Sequence, residues 1–159
     1  MADLAKQIVE TWAIHNRVML LTLEHIPDAA LSATLSTRGG RDIARQFAHI
    51  HMVRVWRLGS FSKKQEVALI EFDKGETPGR EKLQAALQQS GELMARYLAF
   101  CAGEKEGAVS NFKRGVVPML GYYISHESHH RGSILLTMKQ SGFKLPDELK
   151  WKIWEWNKI

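Results

Sequence analysis

The sequence predicts an all-α fold: one four-helix bundle domain spanning residues 1–159, with a short additional C-terminal helix. Three observations carry that prediction. Apolar residues recur at helical spacing in four long segments. No segment alternates apolar and polar residues in two-residue steps between hairpin turns. Capping side chains or proline stand where the segments begin, and proline or glycine where most of them end. A chain of 159 residues is long enough to bury a real core.

The first helix is expected from Asp3 to Ile26, with Asp3 as its cap and Pro27 as its stop. Ile8, Trp12, His15, Met19, Thr22 and Ile26 form one stripe along it. Residues 28–40 carry serines, threonines and Gly39-Gly40, and read as a loop or a short helical turn. The second helix is expected from Arg41 to Leu58, ended by Gly59-Ser60. Ile43, Phe47, Ile50 and Arg54 lie on one line of it, and Ala48, Val55 and Trp56 widen its apolar face. Within residues 61–76 a short helical piece over Gln65–Phe72 is the only element suggested. Thr77-Pro78 reads as the start of the third helix, which runs to about Cys101 before Gly103. Its core candidates are Leu83, Leu87, Leu93, Met94, Tyr97 and Leu98. After a connection over 102–114, the fourth helix opens near Pro118 and runs to Ser141, stopped by Gly142. A last helix begins at Pro146-Asp147-Glu148 and carries Trp151, Trp154 and Trp156.

Composition narrows the function classes. Hydrophobic residues make up 45% and charged residues 25%, an ordinary globular balance. No apolar run approaches the roughly 20 residues of a membrane helix. The start of the chain lacks the basic head and cleavage site of a signal peptide, so a cytoplasmic protein is expected. The net charge of +5 permits nucleic-acid binding. Its basic residues are scattered, however. The densest pairs, Lys63-Lys64 and Lys113-Arg114, read as loop residues, and nucleic acid is not the expected partner. Cys101 is the only cysteine, which excludes an intrachain disulfide and reads as a small buried residue.

The chemistry lies in His126-Glu127-Ser128-His129-His130-Arg131-Gly132, within the fourth helix. At about 100° per residue, His126 and His130 are about 40° apart and share a face with Tyr123, Ile134 and Thr137. His129 lies about 60° from His126 on the other side. Two neutral imidazoles at i and i+4 can close on one metal at about 2.0–2.1 Å. A third ligand is expected from a facing helix. His15, His25, His49 and His51 are the candidates, and His49 and His51 cannot point the same way, being about 200° apart.

Ala48-His49-Ile50 in the second helix, followed by His126-x-x-x-His130-Arg131-Gly132 in the fourth, resembles the DinB family (DinB/YfiT-like), and the likeness runs over essentially the whole chain. The tail from Met138 to Pro146 also looks like the segment that follows the family's motif. The resemblance implies a four-helix bundle with His49, His126 and His130 as metal ligands. It implies a metal-dependent enzyme acting on a small molecule, as a hydrolase or as a transferase using a low-molecular-weight thiol. It also makes a homodimer plausible, which exposed tryptophans in the last helix would support. Ser133 stands where the family often has glutamine.

Three imidazoles with open positions describe a reactive rather than a closed structural site. Zinc, nickel and iron all suit imidazole, so the cofactor is read as a divalent transition metal. Glu127 as a general base, Arg131 as an anion binder and Tyr123 as a hydrogen-bond donor are the catalytic candidates, each with a plain structural alternative. His129 and His15 are candidates to orient a neighbour or line the pocket. The rival from another class is a non-catalytic, stress-related helical binding or scaffold protein with incidental metal.

His126-Glu127-x-x-His130 also matches the zinc-peptidase signature, with Glu155 as a possible third ligand. Against it, the Trp-rich tail leaves no room for a substrate subdomain, Ser133 stands where the extended pattern needs glycine, and no edge strand precedes the motif.

Overall fold

The computed structural model describes residues 3–158. It contains α1 (Leu4–Glu24), α2 (Ile43–Lys64), α3 (Arg80–Ala102), α4 (Val116–Gln140) and α5 (Asp147–Lys152), with a 3-10 turn at Asp28–Ala30. Among the described residues there is no strand, only an isolated bridge between Val109 and Phe112. The all-α architecture of four long helices and a short fifth is therefore the one the sequence predicts. Among the described residues, no helix is long and apolar enough to cross a membrane.

Two hydrophobic clusters give the topology. One joins Met19 and Leu23 of α1, Ile43 to Ile50 of α2, Leu83 and Leu87 of α3, and Ile134 and Met138 of α4. The other joins Ile8 and Trp12, Leu58, Leu93 to Cys101, and Met119 to Tyr123. The ends of α1 and α4, the starts of α2 and α3, thus lie at one end of the bundle. So α1 runs parallel to α4 and antiparallel to α2 and α3. Residues 65–79 must then cross the length of the bundle, and they do so without the short helix suggested over Gln65–Phe72. The crossover is held by side chains instead. His51 Nε2 donates to the Ile70 carbonyl at 2.6 Å, while Gln89 accepts the Ile70 N–H and donates to the Ala68 carbonyl. Apolar Val67, Leu69 and Phe72 rest on the two clusters.

Helix ends follow local chemistry more than the expected punctuation. Asp3 caps α1 and Asp42 caps α2, accepting the Arg45 N–H at 2.7 Å. Carbonyls of Ala33 and Leu31 take the Ile43 and Ala44 N–H groups. Helix α2 passes through Gly59-Ser60, the expected stop, and continues to Lys64. Glycine costs only about 1 kcal/mol in a helix interior. Phe61 packs on Tyr97 and buried Ser62 donates to the Gly59 carbonyl, which holds the extra turn. Lys63 and Lys64 thus close α2, where their charge suits the helix dipole, rather than lying in a loop. Thr77 does not cap α3; Gly79 does, and Thr77 donates to Asp42 instead. Helix α4 opens two residues before Pro118 and stops at Gly142, whose φ of +86° suits a residue without a Cβ.

Trp56 does not face the core as expected: it is 68% exposed. Arg54 takes the core-facing position, and two residues on a helix turn about 200°, so both cannot point inward. In the last segment Trp151 and Trp154 are 72% and 71% exposed, and Trp154 and Trp156 lie beyond the end of α5.

Candidate metal centre

Between the two hydrophobic clusters each long helix contributes a buried polar side chain: His15 and Asn16, Arg54, Ser90, and Glu127. Arg54 makes a two-pronged pair with Glu127, Nε to Oε1 at 2.8 Å and Nη2 to Oε2 at 2.7 Å. Its Nη1 donates to Asn16 Oδ1 at 2.7 Å and to the Leu87 carbonyl at 3.1 Å. His15 Nε2 lies 2.8 Å from Glu127 Oε2. Trp12, whose indole donates to the Gly91 carbonyl, lies under the Arg54 guanidinium at 4.8 Å. Burial alone would raise the Glu127 carboxyl, but Arg54 and then His15 hold it down to about 2. Asn16 sits so close to α3 that a methyl on Gly91 would overlap its carboxamide.

This layer accounts for two of the sequence candidates and corrects their roles. Glu127 lies fully inside the bundle and points toward Arg54, one residue and about 100° around the helix from His126. Its carboxylate is occupied by two partners, so it is not placed as a base beside the histidine pair, and the peptidase geometry is not formed. His15 binds Glu127 rather than lining a pocket around the histidines.

The other faces of the same two helices carry a different cluster. His49 of α2 meets His126 and His130 of α4, with one ligand atom from each lying within 4.8 Å of the others. Ring centroids are 4.7 Å apart for His126–His130, 4.8 Å for His49–His130 and 5.4 Å for His49–His126. A tetrahedral ion bound at about 2.1 Å needs ligand nitrogens about 3.4 Å apart. Small rotations of these half-buried rings cover the difference. His51 and His25, the other histidines considered, lie elsewhere: His51 on the crossover and His25 beside Glu148.

Electrostatics prepares these rings for a cation. Burial first, then Arg41 and His126, lowers His49 to about 4. Burial first, then the neighbouring histidines and Arg41, lowers His130 to about 4 as well. His126 is lowered by burial, against the pull of Glu127. All three are therefore neutral at pH 7 and offer lone pairs. His126 Nδ1 is buried and has no hydrogen-bond partner among the described residues. Leaving such an atom unsatisfied costs about 1–3 kcal/mol. A nitrogen-rich group with an orphaned ring atom fits a divalent transition metal.

The remaining candidates surround this group at different depths. His129 is exposed, its ring 5.4 Å from His130. Arg131 is half-buried, with burial lowering its guanidinium and the Glu127 charge opposing. Tyr123 is buried, its hydroxyl accepting from Arg57 Nε at 3.4 Å. Two further aromatic residues adjoin the histidines. Tyr122 stacks on His126 with centroids 6.1 Å apart and planes 11° from parallel. Trp56 stands edge-on to His49 at 6.4 Å. Their spacing was a usable signal: Trp56 is seven residues from His49 and Tyr122 four from His126, both same-face intervals.

The DinB family model matches residues 1–155 of the chain. No curated protein and no solved structure matches it.

Proposed function

We propose that this chain, which belongs to the DinB family, is a metal-dependent enzyme performing nucleophilic chemistry on a small molecule, of the thiol S-transferase or hydrolase type. The observation that carries the reading is the convergence of three neutral imidazoles, one of which has a buried ring nitrogen without a hydrogen-bond partner among the described residues. His49, His126 and His130 would hold the ion. Zinc, nickel or iron bound there would supply Lewis acidity, the property that acidifies water or a thiol at neutral pH.

The chain's own contributions are positional and electrostatic. Arg54 and Glu127 lock α2 against α4, the two helices that carry the ligands. Trp56 and Tyr122 flank the rings of His49 and His126. Tyr123 and Arg57 offer a hydroxyl and a cation at the edge of the adjoining cavity. The exposed Trp151 and Trp154 support self-association, with a second copy of the chain as the partner.

Elemental analysis of untagged protein tests the centre. One equivalent of metal in the wild type, absent from His49→Ala and His130→Ala, is the expected result. It would open a screen of thiols against electrophiles and of hydrolysable esters and amides. No metal after incubation with divalent ions would overturn the catalytic reading and leave a helical binding protein.

A further inference from the structure

Beside His49 lies an open cavity of about 380 Å³, walled on one side by α2 and on the other by crossover residues 72–76. The α2 wall is a single stripe: Arg45, His49, Met52 and Trp56 follow one another at helical spacing, with Arg41 just before the helix. Chemistry changes in order along it. Two guanidiniums come first, then the metal-binding imidazole, then a thioether, then an exposed indole. At about 1.5 Å per residue, Arg45 lies about 6 Å along the axis from His49, and Trp56 about 10 Å on the other side.

The charges facing this cavity do not cancel the arginines. Neither Arg41 nor Arg45 enters an ion pair among the described residues. Asp42, next to them, has both oxygens engaged, by the Arg45 N–H and the Thr77 hydroxyl. On the opposite wall Glu76 is paired with Lys82 at 2.6 Å and accepts the Asp73 N–H. Asp73 and Lys74 carry opposite charges. What remains is an end whose two guanidiniums are in no ion pair among the described residues, adjoining an apolar end left open. Trp56 has no core to face and its indole borders the cavity beside His49.

We propose that the cleft binds an amphipathic carboxylic acid, with its carboxylate on Arg41 and Arg45, its apolar body on Met52 and Trp56, and its reacting atom between them beside His49. The proposal deepens the metal-enzyme reading and rests on it for the reaction, although the binding itself needs only the stripe. Paired arginines suit a carboxylate because their planar N–H forks match its two oxygens. A flat apolar group gains from the exposed indole face, which is uncovered in the protein alone. The acid and the apolar body then fix the substrate at two points on either side of the reacting atom, so its orientation beside His49 is set before any bond is made.

The test compares 6-phenylhexanoate, long enough to reach from the arginines toward the indole, with its uncharged counterpart 6-phenylhexanamide, titrated calorimetrically into chelator-treated and metal-supplemented protein, with metal content measured on each sample. In chelator-treated wild type the acid should bind about tenfold more tightly than the amide. The Arg41→Gln/Arg45→Gln variant should lose that preference and keep the amide's affinity. Trp56→Ala should weaken both ligands alike. Equal binding of acid and amide, or a preference that survives in the double arginine variant, would overturn the substrate class. Stoichiometric metal with no acid preference leaves the metal centre standing and removes this proposal. An arginine-dependent preference in a protein that never takes up metal keeps the carboxylate cleft and removes the enzyme reading. The arginines lie at the surface end of α2, so the variants are expected to fold.

Discussion

Two polar clusters occupy the seam between α2 and α4, and they are opposites. Arg54, Glu127, His15 and Asn16 lie inside the bundle with their donors and acceptors matched. His49, His126 and His130 lie half-exposed, with a ring nitrogen that nothing among the described residues meets. His126 and Glu127 are neighbours in the chain yet belong to different clusters, because one residue turns the helix by about 100°. A closed polar cluster specifies how helices pack, and an open one waits for something from outside. The signature His126-Glu127-x-x-His130 looks like one site on paper; the fold divides it into a structural residue and a pair of ligands.

The comparison is broken most directly at Glu127. Removing it strands the Arg54 charge in the core, and Glu127→Ala should cost about 3–5 kcal/mol in urea unfolding. The Arg54→Met/Glu127→Leu double variant should recover much of that loss, as expected where the pair specifies packing more than it stabilises. The histidines should behave otherwise. His49→Ala should change the stability of metal-free protein by no more than about 0.5 kcal/mol. Metal at 100 times its Kd should stabilise the wild type by about 2.7 kcal/mol and leave His49→Ala unmoved, measured as a shift in Tm.

Acid should separate the clusters into two windows. His49 and His130 titrate near 4 when folded against 6.5 in the free side chain. Between those values the unfolded chain binds more protons, so stability is lost as pH falls from about 6.5 to about 4. Glu127 moves from 4.5 down to about 2, so its contribution is intact above 4.5 and lost as pH falls through about 2. Urea midpoints across pH 7 to 2 should therefore fall in two stages, with the upper one clearly reduced in a His49→Ala/His130→Ala variant, where His126 and His51, also lowered by burial, still contribute. A change outside both clusters serves as a control. Gly142→Ala forces a Cβ into a φ of +86° and should cost about 1 kcal/mol without altering metal content or either pH window.

The sequence carried the bundle well because its cause is local. The stripe from Ile8 to Ile26 is buried throughout, and Asp3 caps where a capping residue was expected. The misreadings came from weighing local signals against packing. Gly59-Ser60 looks like a stop, but the turn beyond it earns contacts with α3 that outweigh a glycine's helix penalty. Trp56 looks like core until Arg54 is granted the inward position, and nothing local says that an arginine will take it. What it needed was Glu127, 73 residues away in the chain. The histidine pair was legible from spacing, while His49 as the third member came from family likeness, and its approach to the pair depends on how α2 and α4 are docked. The crossover remained unread because it has no period: side chains of His51 and Gln89 hold it, not its own backbone pattern.

That crossover has a consequence of a different kind. It forms one wall of the cleft, yet side-chain bonds and a few apolar contacts hold it to helices that keep their own hydrogen-bonded ladders. Its tip residues, Asp73 to Glu76, can be lengthened, shortened or exchanged while the helices that present the histidines stay in register. The molecule is thus modular in a practical sense: a fixed reactive floor with a replaceable partition, in which new ligand preferences can be grafted by rewriting a handful of loop positions.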